Sequence, residues 1–158
     1  MPDAKVQAAT SNWAPRFMAQ GVDYNDFVRT TARIDIWDDW CREWCATGDQ
    51  HAGLVAQSLS AGRLVSAGEA YLAAALCYHF GKFLFQDHPA EYWDASRKAV
   101  SAFGQGLRLL DLSAERVEIP FAGGTMVGTL RRPPGLDKPA LVLLIPGLDS
   151  VKEEFFYW

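Results

Sequence analysis

Apolar residues recur at helical spacing from Val22 to about Leu112, then give way to alternating and continuous apolar runs. The spacing predicts a short helix over 25–34, carrying Phe27, Val28 and Ile34. A second helix is expected over 38–60, with Trp37, Trp40, Trp44 and Leu54 on its apolar side. Ala61-Gly62 closes it, because Gly suits the position just past a helix end. The third, over 63–86, repeats Leu64, Tyr71, Tyr78 and Phe85 every seven residues, with Leu72, Leu76, Phe80, Phe83 and Leu84 on the neighbouring faces. A helix apolar nearly all round is a central, buried one. Pro89 fits the first turn of a fourth helix over 90–110, carrying Tyr92, Trp93, Val100, Phe103, Leu107 and Leu110. Residues 1–20 read as a polar, poorly ordered lead-in from which Trp13 and Phe17 dock on the body.

Near Asp111 the pattern changes. Val117, Ile119 and Phe121 alternate with polar neighbours, as in a half-buried strand. Ala122-Gly123-Gly124 signals a tight hairpin, and Thr125 to Arg132 is the partner strand. After a Pro-rich turn, Ala140-Leu141-Val142-Leu143-Leu144-Ile145 is wholly apolar and stops at Pro146-Gly147. Such a run reads as a parallel strand buried on both faces, delivering the chain to a site at its carboxyl end. The fold class is therefore α/β: a helical domain over 21–113, then a hairpin and a buried parallel strand over 114–158.

Composition narrows the function. Hydrophobic residues make up 49% of the 158 and charged residues 22%, which predicts a packed core. Aromatics reach 13%, with six Trp, so many must be buried or face a ligand or partner. A net charge of −4 with scattered basic residues argues against nucleic acid; Arg131-Arg132 is the nearest thing to a patch. No apolar run approaches the roughly 20 residues of a membrane span, and the N-terminus lacks the pattern of a secretory signal. Three cysteines without framework spacing fit reduced thiols in a cytoplasm.

The candidate chemistry sits where the apolar run ends. Gly147 lets the backbone turn sharply, so the amides of Leu148 and Asp149 face the crevice above the sheet. Donors placed there stabilise an oxyanion; the plainer alternative is a strand end and nothing more. Cys41, Cys45 and His51 have a superficial metal spacing, but no fourth ligand accompanies them, and buried thiols are the better reading. No metal or cofactor is expected. His79, between Tyr78 and Phe80, reads first as a hydrogen-bonded core histidine and second as a group facing a substrate cavity. The stripe Tyr71, Tyr78, Phe85 reads as helix packing before ligand cage, and His88 beside Pro89 as a helix-cap residue.

The hairpin, the Pro-rich turn and the string Leu143 to Glu154, with its Gly147-Leu148-Asp149-Ser150-Val151-Lys152-Glu153-Glu154, resemble the opening strands of an α/β-hydrolase. More narrowly they resemble the 2,6-dihydroxypseudooxynicotine hydrolase-like group, whose members carry a helical N-terminal domain before the hydrolase core. The resemblance implies a serine-dependent hydrolase cleaving a carbon–carbon bond next to a ketone, or an ester, in an aromatic or polyketide-like substrate. It implies that the Leu148 amide, set by the Gly147 turn, belongs to the oxyanion hole. Asp149, His79, Tyr78 and Glu153 would face the substrate, and Lys152 and Glu153 brace the loop. The Ser–His–acid triad and its G-x-S-x-G elbow are absent from these residues. The expectation is a chain truncated before the elbow and inactive alone, whose partners are the remaining hydrolase half and a second copy through the helical domain. A tetratricopeptide-like binding module is the alternative, although no 34-residue period appears. A naturally split protein is a third possibility.

Overall fold

The computed structural model describes residues 2–147 and 150–156. Helical order begins earlier than the apolar pattern does. Residues read as a lead-in form α1, Ala4–Ala19, whose first turn is capped by Asp3. The Asp3 carboxylate accepts the Val6 N–H at 2.9 Å and the Trp37 N–H at 2.6 Å, so one side chain caps the helix and ties it to the chain ahead of α3. Val6, Ala9 and Phe17 bury one face of α1, and Trp13 packs edge-on against Phe83.

α2, Tyr24–Thr31, starts on Asp23, which accepts the Asn25 and Asp26 N–H groups. A 3-10 turn at Trp37–Asp39 leads into α3, Trp40–Ser60. α3 ends in a Schellman arrangement: Gly62 takes φ +68°, its N–H reaches the Leu59 carbonyl and the Arg63 N–H the Ser58 carbonyl. α4, Leu64–Lys82, stops four residues short of the expected 86; Phe83 leaves it in extended conformation and Leu84 takes φ 65°. α5, Pro89–Leu110, has Pro in its first turn.

α4 lies between α3 and α5, and its segment from Leu72 to Lys82 is almost wholly buried. Two cores meet along it. One is aromatic: Phe17 stacks on Phe80 at 3.8 Å between ring centroids, beside Phe27, Trp40 and Trp44. The other is finer-grained, with Leu72, Ala74, Ala75, Ala99, Ala102, Phe103 and Leu107 between α4 and α5. Here the helices approach closely: a Cβ on Gly106 would lie 2.9 Å from the Gly68 carbonyl oxygen. Leu54, Leu64, Trp93 and Val100, expected on apolar faces, are about half exposed. Val55 takes the inward place beside Leu54, and a seven-residue repeat drifts around a straight 3.6-residue helix, which carries Leu64 out.

β1, Glu115–Phe121, and β2, Gly124–Leu130, pair antiparallel with Glu115 opposite Leu130 and Phe121 opposite Gly124. Ala122 and Gly123 both have positive φ, as a two-residue hairpin turn requires. The strand was expected half-buried, yet Ile119 and Phe121 are 50% and 64% exposed. The expected buried strand at 140–145 forms no regular element, and its apolar side chains from Leu141 to Ile145 are exposed. A strand needs ladder partners for its backbone and cover on its faces; among the described residues the sheet consists of β1 and β2 alone. Among the same residues, no helix is long and apolar enough to cross a membrane.

The α4–α5 contact makes a sharp prediction about two glycines. Gly106→Ala should lose about 1–3 kcal/mol in urea unfolding, because backbone stands in the way. Gly53→Ala, on the exposed face of α3 with nothing within 4 Å of the added methyl, should gain about 0.5–1 kcal/mol. Equal effects of the two substitutions would contradict the close crossing.

Candidate functional site

Beyond the exposed apolar run the chain turns back onto the helices. The Ser150 N–H donates to the Gly147 carbonyl at 3.1 Å, and Lys152–Glu154 make a short 3-10 turn. Glu154 folds its carboxylate under this turn and accepts the Val151 N–H at 2.9 Å. Its side chain is 0% exposed. Arg16, from α1, donates from Nη2 to Glu154 Oε2 at 3.1 Å and to Ser150 Oγ at 3.1 Å. The Arg16 guanidinium also lies 4.5 Å from the centroid of the Phe83 ring, in cation–π range. From α4, His79 Nε2 approaches Glu154 Oε1 to 3.0 Å, ion-pair proximity without hydrogen-bond alignment. Lys82, one turn on and buried, lies over the Tyr92 ring, and the buried Glu153 pairs with Lys152.

The electrostatics follow from burial and partners. Burial opposes the charge on Glu154, but His79, the Val151 amide and Arg16 outweigh it and hold the carboxyl below its ordinary value. Burial pushes the His79 imidazole below its ordinary value despite Glu154, and Lys82 and Arg16 add to the depression. Burial likewise lowers the Lys82 ammonium against the pull of Glu153 and Glu154. The arrangement is a buried carboxylate held by an arginine and a backbone amide, beside a histidine whose neutral form is favoured. Ser150 Oγ faces Arg16 rather than a general base, so it is not set up as a nucleophile.

His79, Glu153 and the turn from Gly147 thus come together. Gly147 is exposed, its φ is not positive, and no atom stands within 4 Å of where a Cβ would be. Leu148 and Asp149 lie outside the described residues. Tyr78 sits elsewhere: its hydroxyl donates to Asp49 Oδ1 at 2.7 Å and Lys98 covers its ring. It lines an open groove of about 350 Å³ with Ala52, Tyr71, Arg97, Lys98 and Gln105. The Cys41 and Cys45 sulfurs are 3.9 Å apart on α3, whereas His51 pairs with Asp26 at 2.7 Å. His88 occupies the N-cap position of α5 without a side-chain cap bond. Arg16, Glu154 and Lys82 were missed from sequence. Arg16 lay in the supposed lead-in, although its position between Trp13 and Phe17 at helical spacing was a readable signal.

No protein-family model matches the chain. The chain is 31% identical over 147 residues to 2,6-dihydropseudooxynicotine hydrolase of Paenarthrobacter nicotinovorans, covering 92% of this chain and 38% of that protein. It is 32% identical over 126 residues to hydrolyase poxO of Penicillium oxalicum, covering 76% of this chain and 30% of that one. The crystal structure of 2,6-dihydroxy-pseudo-oxynicotine hydrolase superposes with a TM-score of 0.64 at 27% identity, over 77% of this chain and 34% of that one. The chain thus spans about a third of the length of these relatives. Its helices and hairpin match the N-terminal part of an α/β-hydrolase. Over the residues shared, the chain belongs to the group typified by 2,6-dihydroxypseudooxynicotine hydrolase.

The two depressed pKa values act in the same direction. The His79 imidazole takes its proton less readily folded than unfolded, so stability is lost as pH falls below its ordinary 6.5. The Glu154 contribution is present above its ordinary 4.5 and is lost as pH falls through the lowered folded value. Thermal unfolding followed by circular dichroism should therefore show the midpoint falling first below about pH 6.5 and further below about pH 4.5. His79→Gln should flatten the first decline; an unchanged profile between pH 5 and 7 in that variant would refute its assignment to His79.

Proposed function

We propose that these residues provide the helical lid and the oxyanion loop of a serine-dependent α/β-hydrolase. The reaction adds water across a carbon–carbon bond next to a ketone, or across an ester, in an aromatic or polyketide-like substrate. The observation that carries this reading is the match to 2,6-dihydropseudooxynicotine hydrolase over 92% of the chain.

On this reading the Leu148 N–H donates to the oxyanion that forms when a nucleophile adds to the substrate carbonyl. Gly147 gives the backbone its approach, and Asp149 lies beside the substrate. A preorganised amide costs no reorganisation at the moment of reaction, which is why such donors weigh heavily in rate. The nucleophilic serine, its histidine and its acid come from hydrolase residues outside this sequence, which would also cover the apolar run at 140–145. The helical domain closes the pocket and supplies the surface for a homodimer. The reduced thiols fit a cytoplasmic enzyme.

Two measurements test this. The 158-residue chain alone should neither hydrolyse p-nitrophenyl esters or β-diketones nor take up a fluorophosphonate serine probe. In a polypeptide that joins it to a G-x-S-x-G-bearing hydrolase core, Leu148→Pro removes the amide and should lower kcat about 10²–10³-fold. Specific fluorophosphonate labelling of the isolated chain, or an unaltered kcat in Leu148→Pro, would sink the proposal.

A further inference from the structure

We infer that Arg16 and Glu154 are positioning residues that fix the described part of the loop after the apolar run, Gly147 and residues 150–154, from the helical side, making α1 part of the site's framework. The inference rests on the reading of that loop as the oxyanion loop, and it concerns how the loop is held.

The geometry is a closed circuit of hydrogen bonds. Gly147 accepts from the Ser150 amide, the Ser150 hydroxyl accepts from Arg16, Arg16 donates to Glu154, and Glu154 accepts from the Val151 amide. The residues that flank positions 148 and 149 are therefore both fixed, and the fixing cation comes from a helix more than a hundred residues earlier in sequence. A single guanidinium nitrogen holds both Ser150 and Glu154, so the turn between them cannot shift without breaking one contact. Burial makes the circuit selective. A wholly buried carboxylate is tolerated only when its lone pairs are satisfied, and removing one partner of such a pair costs far more than breaking a surface ion pair. The neighbouring Lys152–Glu153 pair is different, because Lys152 is one-third exposed and its partner is the next residue along the chain. That pair stiffens the turn internally and does not tie it to a helix. Arg16 is itself held in place, by the Phe83 ring on one side and α1 on the other.

The test is amide hydrogen exchange on the whole chain, read by mass spectrometry or NMR, in Arg16→Gln, Arg16→Lys and Glu154→Gln. Arg97→Ala, which removes an exposed ion pair on α5, is the control. Arg16→Gln and Glu154→Gln should speed exchange at 150–155 about tenfold or more, while α4 and α5 stay within about twofold of the unsubstituted chain. Arg16→Lys keeps the charge and should recover part of the protection. Glu154→Gln should also move the His79 imidazole 15N resonances, which Arg97→Ala should not. Unchanged exchange at 150–155 would overturn the inference, as would equal acceleration along α4 and α5, which marks general destabilisation. If Arg16→Gln fails to fold, Arg16→Lys decides: faster exchange confined to 150–155 supports the anchor, and exchange unchanged there or accelerated equally along α4 and α5 overturns it. The exchange pattern does not depend on catalysis, so failure of the hydrolase reading would leave it intact. Absence of the pattern would equally leave that reading standing.

Discussion

Three consecutive residues of α4 point to three different parts of the molecule, and much of the structure hangs on the almost complete burial of that helix from Leu72 to Lys82. Tyr78 faces the groove against α3 and α5 and hydrogen-bonds Asp49. His79 faces the returning segment and its buried carboxylate. Phe80 stacks on Phe17 of α1, and its carbonyl accepts the Trp40 indole N–H at 3.0 Å. From Leu72 to Lys82 the helix carries almost no solvent face, so each position there is committed to its neighbours. Packing on the α5 side is set by small residues and a glycine crossing, and on the α1 and α3 side by aromatic rings.

That division explains where polar chemistry is tolerated. The aromatic side holds an arginine at its rim, between the Trp13 and Phe83 rings. Arginine suits such a place because its planar, weakly hydrated cation stacks on rings while its donors reach a carboxylate. Glu154 is the carboxylate it reaches, and His79 completes the enclosure from α4. A second arginine works at the other end of the segment: Arg131, just past β2, joins Asp111 at 2.6 Å to the Phe156 carbonyl at 2.8 Å. Arg16 and Arg131 thus grip the segment of residues 150–156 from opposite ends, and the first grip is buried while the second is largely solvated.

What the sequence disclosed tracks how locally each feature is determined. α3, α4 and α5 were legible because Trp40, Trp44, Leu72, Phe80, Phe103 and Leu107 recur at helical spacing and are buried. The hairpin was legible because two residues at its tip need positive φ and the sequence offers Ala122-Gly123-Gly124. α1 is hard to read because its inward residues are few and Pro15 interrupts the pattern, and the tie that docks its start, from the Trp37 N–H to Asp3, comes from a segment over thirty residues away. Sequence alone does not separate Glu153 from Glu154, since adjacent acids in a turn are indistinguishable until their directions are known. Burial of the apolar run was misjudged for a different reason. A sequence records the environment a strand is suited to, and this one is suited to ladder partners on both edges.

The exposed run from Leu141 to Ile145 therefore carries a physical argument of its own. Five large apolar side chains lie in water, next to a hairpin whose Ile119, Phe121 and Met126 are about half exposed or more. Contiguous apolar surface of this kind marks a face that another part of a protein covers, and unpaired strand edges invite association. The helices do not supply that cover: beside them Leu141, Val142, Leu143 and Ile145 remain about three-quarters exposed or more. The segment that follows the run is, by contrast, well anchored to the helices through Glu154 and Arg16. An anchored loop beside an unsheltered strand-like run divides the labour: the helical domain fixes where the loop sits, and the sheet that the run is suited to join fixes where it points. Catalytic geometry of the kind proposed needs both, since a backbone amide is useful only when its position and its direction are set together.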